Sequence, residues 1–324
     1  MQQSKSKSFA KWLKNILAIA IIAFLIWYLS RHWDQLKTLV RLRIDQFVLA
    51  YITWFFYLIG SAFVTQLLLS ALKVKTSYWD MVRLNNAALL LNFAPMKFGT
   101  VFRAGYLKRH YQLSFTNFAT FFVYVTLLMI LTSSLVGLIL LIHIYGLKTH
   151  QSKVLAIVFI AGIIGSLIFL VVPLPTPKGQ SRIVDLLRNY FIGHNQLSGS
   201  RKTILVSAIV LTINFLFESA RIGIIYHSMG KDLHPGGYVV LGSISSVVFF
   251  LGLTPGSLGI KEAALGFSAV VLGIPLEVGI LAALLERAVT LIYAFTAGGL
   301  CAIWLWFKAP GDFKKQETAR DERI

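Results

Sequence analysis

YVVLGSISSVVFFLGLTPGSLGIKEAALGFSAVVL, residues 238–272, is apolar at both ends and broken in the middle. Tyr238–Leu253 carries no charge, the chain then breaks at TPGSLG, and Ile260–Leu272 resumes the apolar pattern. At roughly 1.5 Å per residue each piece falls short of a ~30 Å hydrocarbon core and suits a half-membrane helix. Pro255, Gly256 and Gly259 make the break, because proline lacks a backbone donor and glycine tolerates helix-ending conformations. An upstream region has the same form. Met81–Ala94 is apolar, breaks at Pro95-Met-Lys-Phe-Gly99, and continues as Thr100–Tyr111. We read both regions as re-entrant helical hairpins. The alternative makes each one an ordinary span with a loop.

Six other segments are long enough to cross a bilayer: Leu13–Leu29, Phe47–Leu72, Thr116–Tyr145, Val154–Val172, Thr203–Met229 and Glu277–Phe307. Trp27, Tyr28, Trp33, Trp79, Tyr145, Trp304 and Trp306 stand near their ends, where interfacial aromatics belong. The first run follows Lys5, Lys7, Lys11 and Lys14 as a signal peptide would, but it ends in Ile-Trp-Tyr-Leu-Ser-Arg without a small-residue cleavage site. We read it as a retained anchor. The fold expected is an all-α polytopic membrane protein, one integral membrane domain over residues 1–324. It has about six full spans plus two hairpins, or about eight membrane segments.

Composition agrees. The chain is 56% hydrophobic and only 14% charged, with mean hydropathy +0.72, which argues against a soluble enzyme. Yet 31 Lys and Arg face 13 Asp and Glu, for a net charge of +18. Nucleic acid is not the expected partner, because the basic residues lie between apolar runs rather than on a soluble face. Their placement sets the topology instead. With the N-terminus inside and both hairpins re-entrant, the cytoplasmic segments hold 21 basic residues and the outer ones seven. Single spans in place of hairpins reduce this to 15 against 13. The positive-inside rule favours hairpins with both termini cytoplasmic. The loop 173–202 belongs to the inner side. Ile183, Leu186, Leu187, Tyr190 and Phe191 share one helical face there, opposite Arg182, Asp185, Arg188 and Asn189. That pattern fits a basic amphipathic helix on the inner leaflet or a helix packed on neighbouring loops.

The two breaks share Pro-x-x-φ-Gly, followed by Ala104 and Ala264, and Tyr78 corresponds to Tyr238. Halves 47–145 and 203–307 then each read span, hairpin, span, joined by span 154–172 and the linker 173–202. Hairpins entering from opposite sides make this an inverted repeat, a common transporter plan. The second arm of each hairpin begins near Gly99 or Gly259. Helix N-termini carry unpaired N–H groups and partial positive charge. With Lys97 and Arg103 beside one break and Lys261 beside the other, the pattern predicts an anion site at membrane depth. Pro95, Pro255, Gly99 and Gly259 shape it. Glu218 and Arg221 stand three apart in one span, Glu286 and Arg287 lie in the last, and Glu262 follows Lys261. Charges at such depth line a pathway or pair with one another, and both readings stay open. Asn85, Asn86 and Asn92 are expected to bond neighbouring helices.

No metal, cofactor or catalytic constellation is expected. The seven histidines are scattered and Cys301 stands alone in an apolar run. Nucleotide-loop and nucleophile-elbow motifs do not occur in the sequence.

The stretch TPGSLGIKEAALGFSAVVLGIPLEVGILAALLERAVTLIYAFTAGGL resembles the end of the lysylphosphatidylglycerol synthase/flippase membrane-domain family. The family's Pro-Gly-x-x-Gly-x-x-Glu-Ala-Ala element falls on Pro255, Gly256, Gly259, Glu262, Ala263 and Ala264. Gly273, Pro275 and Arg287 complete it, and Pro95, Gly99 and Arg103 resemble an upstream family element. The resemblance implies lipid translocation in a bacterial or archaeal cytoplasmic membrane, and it places a family acid at Glu218. Only a short tail follows the last span, so lysyl transfer is not expected. The function expected is flippase-like transport of a phospholipid or polyprenyl-phosphate-linked lipid, by a transporter rather than an enzyme. Arg103, Lys97 and Lys261 would hold the phosphate; Glu218, Arg221, Glu262, Glu286 and Arg287 would line or gate the path. The alternatives are a scaffold for a separate synthase or glycosyltransferase, and a lipid-modifying membrane enzyme. The partners expected are anionic lipid, the membrane, such an enzyme, and further copies of the chain in a homo-oligomer.

Overall fold

Long apolar runs become long helices because a helix satisfies its own backbone donors and acceptors where water cannot. The computed structural model of the chain describes residues 43–93, 98–179, 181–251, 259–305 and 307. All regular structure among these is helical. Helix α1 is Ile44–Ala71, α2 Tyr78–Leu91, α3 Phe98–Tyr111 and α4 Phe115–Leu140, continued by a π-helical turn at Leu141–Tyr145. Then follow α5 His150–Val171, α6 Arg182–Gly199, α7 Arg201–Ser228, α8 Pro235–Leu251 and α9 Ile260–Val271. Last comes α10 Leu276–Tyr293, with a second π-helical turn at Ala294–Gly298.

Five helices are long and apolar enough to cross a membrane: Ile44–Ala71, Phe115–Tyr145, His150–Val171, Arg201–Ser228 and Leu276–Leu305. They coincide within a few residues with five of the six spans expected. The sixth, Leu13–Leu29, lies outside the described residues. So do Pro95, Lys97, Pro255 and Gly256.

Local chemistry sets several helix starts. The Ser114 hydroxyl accepts from the Asn117 N–H at 3.1 Å to open α4, and Ser181 accepts from Val184 at 3.2 Å to open α6. Thr149 and Ser152 cap each other reciprocally at the start of α5. Gly259 takes φ +81°, a left-handed conformation that disfavours any side chain, just before α9.

The helices pack in a recurrent order. α1 lies along α7, α2 packs on α1 and α3, and α8 on α7 and α9. α4 packs against α8, while the end of α10 packs against α2. Glycine allows several of these approaches. A β-carbon at Gly99 would overlap the Ala88 carbonyl and the Asn92 amide, so α3 meets α2 closely there. One apolar cluster gathers residues of α1–α4, among them Leu68, Met81, Leu107 and Phe121. A second gathers Ile225, Leu241, Leu265 and Leu281 of the later helices, together with Phe159 of α5. A third, with Trp54, Leu58, Val289 and Tyr293, joins α1 to α10.

Helix α6 is amphipathic in two directions. Ile183, Leu186 and Leu187 are exposed, whereas His194 and Leu197 are buried. Tyr124 of α4 donates to the His194 carbonyl at 3.1 Å. The helix therefore packs through its C-terminal half and leaves an apolar face open in its N-terminal half.

Candidate functional site

Charged side chains inside an apolar bundle are costly unless each finds a partner, so their pairing organises the interior. Glu286 of α10 is the hub. It accepts from Arg221 Nε at 2.9 Å and from Lys261 Nζ at 2.8 Å, with its side chain 3% exposed. Glu218 accepts from the Ser245 and Ser246 hydroxyls of α8 at 2.6 and 3.0 Å, and Lys261 Nζ stands 4.0 Å away. Glu262 accepts from Arg287 Nε at 2.6 Å and from the Gly259 N–H at 2.7 Å. Arg221 also lies over the Trp54 ring, 4.2 Å from its centroid, a cation–π contact. Its Nη1 is buried with no hydrogen-bond partner among the described residues. Trp54 in turn donates to Thr290 at 3.1 Å, one turn beyond Glu286.

Arg103 differs. It points from α3 towards α2 and donates to the Asn85 side-chain oxygen at 2.9 Å. Asn85 is held from behind by Ser61 and Thr65 of α1, at 3.4 and 3.3 Å. Among the described residues no carboxylate lies within ion-pair distance of Arg103.

These groups border one cavity of about 150 Å³. Asn85, Asn92 and Arg103 form its wall on the side of the first break. Glu218, Lys261 and Glu286 form it on the side of the second. Trp54, Tyr57 and Ser61 come from the middle of α1, and Met129 from the middle of α4. The cavity thus sits midway along two of the long apolar helices.

The structure brings together Arg103, Glu218, Lys261, Glu286 and Arg287 on the cavity wall, with Arg221 and Glu262 behind it as their ion-pair partners. Glu218 and Arg221, three apart on one helix, do not pair. Arg221 reaches across to α10 and Glu218 to α8, because packed helices offer closer partners than the helix's own next turn. The Gly259 amide, expected to face an anion, is taken by Glu262. Gly99 is buried at the α2–α3 crossing. Asn86 accepts from Tyr293 at 3.0 Å, as an interhelical residue should. Asn92 Oδ1 is buried against Gly99 and has no hydrogen-bond donor among the described residues. Lys97, Pro95 and Pro255 fall outside the described residues. Sequence reasoning missed Trp54, Ser245, Ser246 and Thr290. The serine pair inside the otherwise apolar Tyr238–Leu253 run was the available signal.

The family model for the lysylphosphatidylglycerol synthase TM region matches residues 15–298. The chain belongs to this family. No curated protein and no solved structure gives a significant match. The lysylphosphatidylglycerol synthase TM region takes in every residue of the cavity wall. Family membership and five apolar helices together make this an integral membrane protein with a function connected to membrane lipids.

Proposed function

We propose that this protein moves a phosphate-bearing lipid between the leaflets of a membrane, as a transporter rather than an enzyme. One observation carries the reading: Arg103, a cation without a carboxylate partner among the described residues, faces a largely apolar cavity with a few charged and amide groups on its wall, midway along apolar helices. A lipid phosphate passing through hydrocarbon needs such a stop, since a charge there is otherwise far from any partner. Arginine suits the role because its planar fork matches phosphate oxygens.

The helix plan supports alternating access. Exchanging α1 with α7, α2 with α8, α3 with α9 and α4 with α10 maps the packing pairs onto one another. α1–α2 becomes α7–α8, and α4 on α8 becomes α10 on α2. Glycine marks both of the latter contacts, with Gly137 against Ser243 and Gly298 against Asn86. This exchange symmetry favours an inverted repeat whose short helix pairs are re-entrant hairpins, with the cavity between halves that rock against each other. Lys261 stands between Glu286 and Glu218, so a shift of α9 would exchange one carboxylate for the other as the path opens.

Reconstituted in vesicles, the wild-type chain should carry a fluorescent phosphate-headgroup lipid from the outer leaflet to the inner or the reverse. Arg103→Ala should abolish that movement while elution from a sizing column stays unchanged. Transport at the wild-type rate in the folded variant overturns the assignment.

A further inference from the structure

The charge balance of the cavity says more than that an anion fits. Resting on the lipid-transport reading above, we propose that the site selects a lipid phosphodiester with an uncharged headgroup and rejects the aminoacylated, net cationic form of that lipid. Glycerol and sugar headgroups share the selected chemistry.

Two observations converge on this. First, each carboxylate of the network is already engaged. Glu286 holds two cations, Glu262 holds Arg287 and a backbone N–H, and Glu218 accepts from two hydroxyls with Lys261 beside it. An incoming ammonium finds no spare acid among the described residues of the cavity wall. Second, among the described residues Arg221, Lys261 and Arg287 balance Glu218, Glu262 and Glu286, so Arg103 adds net positive charge there. A phosphodiester neutralises that excess, whereas an aminoacyl headgroup restores it with a like charge in a poorly solvated space. Asn85 assists by holding one edge of the Arg103 guanidinium, which leaves its other N–H groups for phosphate oxygens.

The test is retention of lipid by the purified full chain, read by native mass spectrometry. Four probes are used: phosphatidylglycerol, lysyl-phosphatidylglycerol of the same acyl chains, a polyprenyl-phosphate hexose, and glycerol 3-phosphate. We expect phosphatidylglycerol or the polyprenyl-phosphate hexose to be retained about tenfold or more over the lysyl lipid, a gap set by one buried like charge. Arg103→Gln should erase that preference and Arg103→Lys should keep most of it. Equal or better retention of the lysyl lipid by the wild-type chain overturns the proposal without recourse to any variant. Displacement of bound lipid by equimolar glycerol 3-phosphate also overturns it, since the ligand would then be a soluble phosphate ester. A leaflet-exchange assay on the same preparation separates the two readings. Lipid exchange together with retention of the lysyl lipid removes only the charge selection; absence of both retention and exchange removes the transport function itself.

Discussion

Two kinds of cation line or back the same cavity, and substitution should tell them apart. Arg221 and Lys261 both depend on Glu286, which is nearly inaccessible. Glu286→Gln leaves two cations sharing a neutral partner, and removing one member of a buried ionic network costs about 3–5 kcal/mol. Among the described residues Arg103 has only the neutral Asn85 to lose. Arg103→Gln should therefore cost about 1 kcal/mol, the scale of a single hydrogen bond. Thermal unfolding of the two variants in detergent is the measurement. A large fall for Glu286→Gln beside a small one for Arg103→Gln is expected; comparable falls would make Arg103 a packing residue. The sequence made the charged residues themselves legible, since an acid or base within an apolar span stands out. Their partners were not legible. Spacing along α7 placed Glu218 and Arg221 on one face, but the side chains bond across to α8 and α10. Contacts between residues as distant in sequence as Arg221 and Glu286 depend on how helices cross, which local periodicity does not encode.

At the scale of elements, α6 shows why a pattern with two readings was right to stay open. The face expected to be apolar divides. Ile183, Leu186 and Leu187 are exposed, and Tyr190 and Phe191 are partly covered. The N-terminal half of α6 therefore suits a leaflet surface, while the C-terminal half is tied to α4 through Tyr124 and His194. Nearby basic residues, Lys178, Arg188, Arg201 and Lys202, would attract anionic headgroups to that surface. A nitroxide at Leu186 should collide with oxygen, which concentrates in the acyl region. One at Asn189, also exposed, should collide with a water-soluble nickel chelate. Equal nickel accessibility at both sites would mean that the open face meets solvent. The long helices were far easier to read than α6. An uninterrupted apolar run has one low-energy answer in a bilayer, whereas an 18-residue amphipathic helix has several.

At the scale of the whole molecule, the excess of basic residues and the helix order make a joint statement about sidedness. Two short pairs, α2–α3 and α8–α9, interrupt an otherwise regular series of long helices. If each pair returns to the side from which it enters, Lys108 at the end of α3 and Lys178 in the linker lie on the inner side, where α1 ends, and Lys231 after α7 lies on the other. If each pair crosses instead, Lys108 moves outside. Packing of α2 on α3 and of α8 on α9 favours the return, because a pair that doubles back keeps its two arms in contact. The basic residues favour it too, since the return leaves most of them on one face. Single cysteines decide the matter. Cys301, which is only partly buried, is first replaced by alanine to remove background. Cysteines at Lys108 and Lys178 should then resist a membrane-impermeant maleimide in intact cells and react after permeabilisation, while one at Lys231 should react at once. Reaction of the Lys108 position in intact cells would make α2–α3 a crossing segment rather than a re-entrant pair. It would also place Arg103 on a helix running through the bilayer, where a half-helix end could no longer present it to the cavity.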